Sequence, residues 1–164
     1  MLRKDLQISY YLPESPEELQ PEELNLINIA SESLDSSYSP YSHYKVGCAV
    51  LLENGMVITG SNQENMAFPS GLCAERVALY AAASNHPGII IRSIAITAQS
   101  LDFPVIEPVS PCGSCRQAMI EYENNQDKPI KLILGCESGK TILVMSVGDL
   151  LPLSFKEEKL KKKL

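Results

Sequence analysis

The sequence predicts an α/β protein in three layers, with helices on both faces of a mixed five-stranded sheet. Segments with strand character alternate with segments of helical periodicity, which is typical of a sheet covered by helices. The first two predicted strands meet at a tight Asn54-Gly55 turn and must run antiparallel, because both residue types tolerate a positive φ. Residues 89–98 are nearly all apolar, as expected for a central strand buried on both faces.

The first half of the chain is predicted to contain an arm, a helix and a hairpin. Residues 1–20 are rich in Pro and Glu and predict an irregular arm. Pro21-Glu22-Glu23 opens a helix to about residue 35, because proline suits the first helical position and acidic residues suit the first turn. Residues 45–53 and 56–62 are the hairpin strands. The predicted apolar stripe of the helix consists of Leu24, Ile27, Ile29, Ala30 and Leu34.

The second half is predicted to supply two helices and three strands. A buried helix over residues 73–85 stops at His86-Pro87-Gly88, and the central strand follows. Another helix, two further strands and one helical turn complete the order: residues 113 to about 124, 130–135, 140–145 and 147–151. Residues 156–164 form a charged tail. We expect a single domain over residues 1–164, because the chain shows no repeat or internal linker and is 45% hydrophobic.

Composition and charge exclude several classes of function. The net charge of −6 leaves no basic face for a phosphate backbone, so nucleic acid is not an expected partner. No apolar run approaches the roughly 20 residues of a membrane span. The first residues lack an apolar signal core, which predicts a cytoplasmic protein. Five cysteines, an odd number, argue against a disulfide framework, and Cys48 and Cys136 are predicted to be small buried hydrophobes.

The other three cysteines predict a catalytic zinc site. Cys73, Cys112 and Cys115 provide three thiolates, whereas a structural zinc normally has four protein ligands. The fourth position is then left to water, and Glu75 is placed to move the protons of that water. The pattern therefore predicts a hydrolytic enzyme with one zinc ion per chain.

The surroundings of the cysteines favour the thiolate form. Both cysteine segments fall at predicted helix N-termini, where free N–H groups and partial positive charge stabilise an anion. Three thiolates give the zinc site a net charge of about −1. Arg76 is predicted to relieve this charge by donating hydrogen bonds to the sulfurs.

Three motifs carry a resemblance to a known family. The segments Asn62-Gln63-Glu64-Asn65, Cys73-Ala74-Glu75-Arg76 and Pro111-Cys112-Gly113-Ser114-Cys115-Arg116-Gln117 resemble cytidine deaminase, the small nucleoside enzyme with a three-cysteine zinc site. The likeness extends from about residue 38 to about residue 155. It implies that a zinc-activated water attacks C4 of cytosine, converting cytidine and deoxycytidine to uridine and deoxyuridine with release of ammonia, in pyrimidine salvage.

The resemblance also implies roles for individual residues. Cys73, Cys112 and Cys115 would bind zinc, and Glu75 would protonate N3 and then carry a proton to the departing amine. The backbone N–H of Ala74 would hold the pyrimidine O2.

Four further positions would recognise the sugar, the base or another subunit. Asn62 and Glu64 would bind the ribose hydroxyls. Tyr44 stands where the family usually has a base-stacking phenylalanine. Phe155 resembles an aromatic residue that reaches a neighbouring active site, which implies a homotetramer with shared sites. Met66, Phe68 and Ser70 depart from the usual family residues beside the sugar loop.

Two alternative functions are compatible with the cysteine pattern. One is a deaminase of a cytosine-containing antibiotic such as blasticidin S, which shares the three-cysteine site. The other is a structural zinc module that binds a protein or nucleic acid, since such modules also use Cys-x-x-Cys. The missing fourth ligand and the acidic charge argue against the structural module.

Overall fold

The computed structural model describes residues 1–160 and has three α-helices and five strands within that range. One mixed sheet has the strand order β2-β1-β3-β4-β5, in which β3 and β4 are parallel and the other neighbours antiparallel. The predicted mixed sheet is therefore confirmed. In chain order the elements are α1 (Pro21–Glu32), β1 (Tyr44–Leu52), β2 (Val57–Ser61), α2 (Ala74–Asn85), β3 (Ile91–Ser100), α3 (Gly113–Gln126), β4 (Lys131–Gly135) and β5 (Thr141–Val144).

Helices cover both faces of the sheet, which confirms the predicted three layers. Side chains alternate between the two faces along a strand, and β1 shows this directly. Cys48 and Val50 belong to the core beneath α2 and α3, whereas Ala49 and Leu51 belong to the core beneath α1. The larger core, on the side of α2 and α3, is the layer that carries the candidate site.

Helix α1 begins at the predicted proline but turns a different face to the sheet. Leu24 was predicted to be buried and is 38% exposed, whereas Leu26 is 1% exposed and packs with Ala30. The predicted burial of Leu24 is wrong because Glu23 occupies the buried side of the first turn. The Glu23 carboxylate accepts there from the Gln20 N–H and from Lys131. The α-helix ends at Glu32, and a short 3₁₀ turn, Ser33–Ser36, follows it.

The hairpin between β1 and β2 forms where the Asn-Gly pair predicts it. Gly55 alone of the two adopts a positive φ, +85°, and its N–H donates to the Leu52 carbonyl at 3.0 Å. The strands are shorter than predicted at the turn because Glu53 pairs instead with Ile90, outside the strands, through a 2.8 Å backbone bond.

Gly60 in β2 allows the first turns of α2 to lie directly on the sheet. A Cβ atom at this position would lie 2.5 Å from the Ala78 nitrogen and 2.7 Å from the Ala74 oxygen. These distances are too short for any side chain. The N-terminus of α2 can therefore approach β2 this closely because residue 60 is glycine.

The arm and the tail have little regular structure. The arm contains a 3₁₀ turn, Pro16–Glu18, and pairs once with the sheet where Tyr11 exchanges backbone hydrogen bonds of 2.8 and 2.9 Å with Leu143. The tail predicted over residues 156–164 lies partly outside the described residues. The helical turn predicted over residues 147–151 is a 3₁₀ turn, Val147–Leu150. Across residues 1–160, no helix is long and apolar enough to cross a membrane.

Candidate active site

The three cysteines that were predicted to bind zinc lie together at the N-termini of α2 and α3. Their sulfur atoms are all within 4.8 Å of one another. The Cys112 sulfur lies 3.9 Å from that of Cys73 and 3.4 Å from that of Cys115. Tetrahedral zinc with Zn–S bonds of about 2.3 Å needs sulfurs about 3.8 Å apart, so the cluster fits one zinc ion.

Each helix starts at a cysteine for a local backbone reason. Cys73 and Cys112 are the residues that precede α2 and α3, and both have extended backbones. The Cys73 carbonyl accepts from the N–H groups of Arg76 and Val77, and the Cys112 carbonyl accepts from that of Arg116. Both sulfurs therefore lie where helix N–H groups have no intrahelical partner and favour negative charge.

The surroundings of Cys73 favour its thiolate form. The pKa of Cys73 lies well below its ordinary value because the Cys115 thiol donates to its sulfur and Arg76 stabilises the negative charge. The pKa of Cys115 is raised for the reciprocal reason, since its proton is shared with Cys73 and the site around it is partly desolvated.

Arg76 lies beside the sulfurs, as the sequence predicted. Its Nη2 atom is 3.9 Å from the Cys73 sulfur. Its Nε atom is buried and has no hydrogen-bond partner among the described residues. The guanidinium thus places positive charge against the cluster, where the charge of three thiolates would otherwise be uncompensated.

Glu75 is buried in the first turn of α2 and lines the cavity that ends at the cysteines. It is 5% exposed. Burial raises the pKa of Glu75, and the negative charge of Cys73 raises it further. A buried carboxyl group with a raised pKa is better suited than an exposed one to accept and return a proton.

The cavity has a volume of about 630 Å³ and is lined mainly by apolar and aromatic groups. Val46 and Ile96 line it from the sheet. Tyr41 and Phe68 also line it, and their rings meet edge to face at 5.8 Å. No Lys, Arg or His is among the described residues that line the cavity.

The two residues expected to bind ribose both line this cavity, and other groups of the chain hold each of them. The Asn62 Oδ1 atom accepts from the Val46 N–H at 2.8 Å and from the Ser37 hydroxyl at 2.6 Å. Glu64 accepts from the backbone N–H groups of Tyr41 and Ser42 and from the Ser42 hydroxyl. The sequence does not indicate the two serine contacts, because each serine lies more than 20 residues from its partner.

Tyr44 lines the cavity, Ala74 lies between the lining residues Cys73 and Glu75, and Phe155 does not line the cavity. Tyr44 lines the cavity, and its ring centroid is 6.1 Å from that of Phe103, an aromatic partner that the sequence did not indicate. Ala74 is the first residue of α2, so its N–H has no intrahelical partner. The side chain of Gln117 binds both the backbone N–H and the carbonyl of Phe155, whose ring is 71% exposed.

Of the residues that depart from the family pattern, Phe68 lines the cavity, and Met66 and Ser70 are next in sequence to lining residues. Phe68 is 75% exposed and Met66 is 82% exposed. Ser70 ends the 3₁₀ turn that starts at Phe68. None of the three departures falls on a cysteine of the cluster.

Comparisons with known proteins agree with this site. The model of the cytidine and deoxycytidylate deaminase zinc-binding region matches residues 21–127. The chain is 38% identical over 133 residues to the cytidine deaminase of Halalkalibacterium halodurans, covering 81% of this chain and 93% of that protein. The crystal structure of cytidine deaminase from Burkholderia pseudomallei superposes with a TM-score of 0.70 at 34% identity, covering 84% of this chain and 100% of that chain.

A more distant relative acts on a different substrate. The blasticidin-S deaminase of Bacillus cereus is 27% identical over 139 residues, which cover 84% of this chain and 94% of that protein. The nucleoside deaminases are thus the more similar relatives.

Proposed function

The chain belongs to the cytidine and deoxycytidylate deaminase family, and from this membership we propose hydrolytic deamination of cytidine and deoxycytidine at its zinc site. The products are uridine or deoxyuridine and ammonia. The observation that carries the proposal is the cluster of three sulfurs beside buried Glu75, at the end of a cavity of nucleoside size. A structural zinc module would need neither the carboxyl group nor the cavity.

Cys73, Cys112 and Cys115 would hold the zinc ion, and Arg76 would offset their negative charge. Zinc, when bound, supplies a Lewis acid that makes water a nucleophile at neutral pH. Glu75 would take one proton from that water and deliver it to N3 of the base. It would then take the second proton from the hydroxyl added at C4 and pass it to the amine, which leaves as ammonia. Its burial keeps the transferred proton away from bulk water.

The remaining cavity residues would bind and orient the nucleoside. The Ala74 N–H would donate to the pyrimidine O2, and the Tyr44 ring would lie against the base. Asn62 and Glu64 would bind sugar hydroxyls, since an amide and a carboxylate together satisfy a group that both donates and accepts.

The charge of the cavity favours nucleosides over nucleotides. Glu64 and Glu75 line it, and no cationic side chain among the described residues does so. A 5′-phosphate would meet like charge, which costs several kcal/mol. We expect kcat/KM for cytidine to exceed that for cytidine monophosphate by about 100-fold or more. Equal turnover of the two, measured by the ultraviolet change, would remove the nucleoside assignment.

An activity assay with zinc analysis of the same sample tests the proposal. The purified protein is incubated with cytidine, deoxycytidine and blasticidin S, and the ultraviolet change is followed. We expect turnover of the two nucleosides and one zinc ion per chain. Turnover of blasticidin S alone would transfer the assignment to the antibiotic deaminases.

The Glu75→Gln variant tests the role of the carboxyl group. We expect turnover to fall by a factor of about 10² to 10⁴, because general acid–base catalysis is lost, while zinc content and melting temperature stay close to the parent values. Undiminished turnover would show that another group moves the protons.

The resemblance also supports a homotetramer, a cytoplasmic location and a place in pyrimidine salvage. In this assembly Phe155 would reach the active site of a neighbouring subunit, and the exposure of its ring is compatible with that role. Light scattering of the purified protein measures the mass. A monomer with full activity would contradict shared sites.

A further inference from the structure

Two serine hydroxyls of one loop contact the two cavity residues that the proposed function assigns to the sugar. The loop comprises residues 37–43 and connects the 3₁₀ turn after α1 to β1. Ser37 donates to the side chain of Asn62, 25 residues further on, and Ser42 donates to the side chain of Glu64, 22 residues further on. The two contacts come from opposite ends of the same loop.

Ser37 is one of three groups that fix which end of the Asn62 amide faces the cavity. Oδ1 accepts from the Ser37 hydroxyl at 2.6 Å and from the Val46 N–H at 2.8 Å, so both of its lone pairs are used. Nδ2 donates one of its two hydrogens to the Tyr44 carbonyl at 2.9 Å. Asn62 therefore keeps one N–H donor for a ligand and can offer no acceptor.

Ser42 helps to hold the Glu64 carboxylate, which is an acceptor where Asn62 is a donor. Its hydroxyl donates to Oε1, while the N–H groups of Tyr41 and Ser42 donate to Oε2 at 2.9 and 3.3 Å. The same hydroxyl accepts from the Tyr44 N–H at 3.1 Å, which links it to the residue proposed to contact the base. An ionised carboxylate held in this way offers acceptor capacity only.

We propose that Ser37 and Ser42 are positioning residues that sharpen the sugar selectivity of this site, by helping to hold Asn62 as a pure donor and Glu64 as a pure acceptor. The proposal rests on the proposed function. A sugar hydroxyl fits between them because it accepts from Asn62 and donates to Glu64. A sugar without hydroxyls at these positions leaves both groups unpaired, which penalises its binding.

The loop has other anchors, so its placement does not depend on the two hydroxyls. Tyr38 exchanges backbone hydrogen bonds with the Asn62 carbonyl at 3.0 Å and the Glu64 N–H at 2.8 Å. The His43 N–H donates to Ser39, and the His43 carbonyl accepts from Leu101. Removing a hydroxyl should therefore loosen one side chain, which keeps its backbone contacts, without displacing the loop.

The experiment compares Ser37→Ala and Ser42→Ala with the parent enzyme on cytidine and on 2′,3′-dideoxycytidine. We expect the ratio of kcat/KM values, cytidine over the dideoxy analogue, to fall about 3- to 10-fold for each variant, the worth of one hydrogen bond. The loss should lie mainly in KM for cytidine. Ser37→Thr and Ser42→Thr, which keep the hydroxyl, should restore the ratio.

Ser36→Ala is the matched control, because Ser36 is exposed on the neighbouring turn and its hydroxyl contacts neither sugar residue. We expect its ratio to equal that of the parent. Competition by uridine and 2′,3′-dideoxyuridine gives the same comparison for binding alone. A ratio unchanged in both alanine variants, with both substrates slowed equally, would overturn the proposal and leave the serines a purely structural role.

The result also separates this proposal from the proposed function. A parent enzyme that fails to deaminate cytidine would contradict the proposed function itself. A parent enzyme that deaminates cytidine, with alanine variants that keep its sugar discrimination, would contradict only the role of the serines.

Discussion

Glu64 shows how hydrogen bonds outweigh partial desolvation at a single residue. Desolvation raises its pKa, but the Ser42 hydroxyl, the N–H groups of Tyr41 and Ser42, and nearby His43 together bring the pKa below the usual 4.5. The folded carboxyl group therefore binds its proton less tightly than the unfolded one. Its contribution to stability is complete above the usual pKa and is lost as the pH falls through the lower folded value.

The Ser42→Ala variant should raise the pKa of Glu64 toward 4.5, because the strongest of the lowering hydrogen bonds is removed. Carbon-detected NMR titration of the Glu64 carboxyl group in parent and variant measures this directly. The Ser36→Ala variant, which removes no contact of Glu64, is the control. A Glu64 titration that does not move would mean that the serine hydroxyl does not stabilise the carboxylate in solution.

The zinc cluster and the serine contacts differ in how far the sequence predicts them. Cys112 and Cys115 are three residues apart at a helix start, so one turn presents both sulfurs, and the spacing alone indicates a metal site. The partners of Ser37 and Ser42 lie more than 20 residues away, and only the folded chain determines which side chains the hydroxyls meet. A serine-rich segment by itself indicates no more than a loop.

At the scale of elements, the close contact between β2 and α2 positions the first turn of α2. We expect Gly60→Ala to destabilise the fold by about 1–3 kcal/mol, because the added methyl group overlaps the backbone of Ala78 and Ala74. The first turn of α2 must shift to relieve the overlap, and it carries Glu75. Activity should therefore fall together with the melting temperature.

Gly113→Ala is the control for stability, because a Cβ at Gly113 meets no atom within 4 Å. Thermal unfolding of both variants compares a crowded glycine with an open one. Equal melting temperatures would show that β2 and α2 adjust to the methyl group without cost.

Local chemistry predicts where a helix starts better than it predicts which face of the helix is buried. Pro21 and the acidic residues after it predict the start of α1, because they satisfy a helix N-terminus whatever the rest of the chain does. The burial of Leu26 in place of Leu24 depends on where the sheet lies, and Glu23 with its partner Lys131 helps to set that orientation from 108 residues away.

For the whole molecule, the alternation of strands and helices predicted the layers, and the strand order came only from the structure. The hairpin must place β1 beside β2, but no local signal says that β3 takes the other side of β1. That choice depends on the apolar faces that α1 and α2 cover together.

The arm contributes to the whole molecule by covering an edge of the sheet. We expect deletion of residues 1–12 to destabilise the protein by about 1–2 kcal/mol, since two backbone hydrogen bonds between Tyr11 and Leu143 are lost. The uncovered β5 edge should also increase self-association, because an unpaired strand edge can pair with another chain.

Thermal unfolding and concentration-dependent light scattering measure both effects, and kcat/KM for cytidine should stay at the parent value because the arm lies outside the cavity. Tyr11→Ala in the full-length chain is the control, as it keeps both backbone bonds. A truncated protein with unchanged stability and dispersity would show that the arm does not protect the edge.

The Gln117 side chain forms hydrogen bonds with the backbone of Phe155 in the same chain, and Phe155 remains exposed. In the proposed tetramer, the Phe155 ring of each polypeptide then contributes to the catalytic centre of a neighbouring polypeptide. Damage to Phe155 and damage to Glu75 would fall on different centres. A hybrid assembled from the two defective polypeptides would therefore contain some centres with both parts intact, and two inactive preparations would regain turnover on mixing.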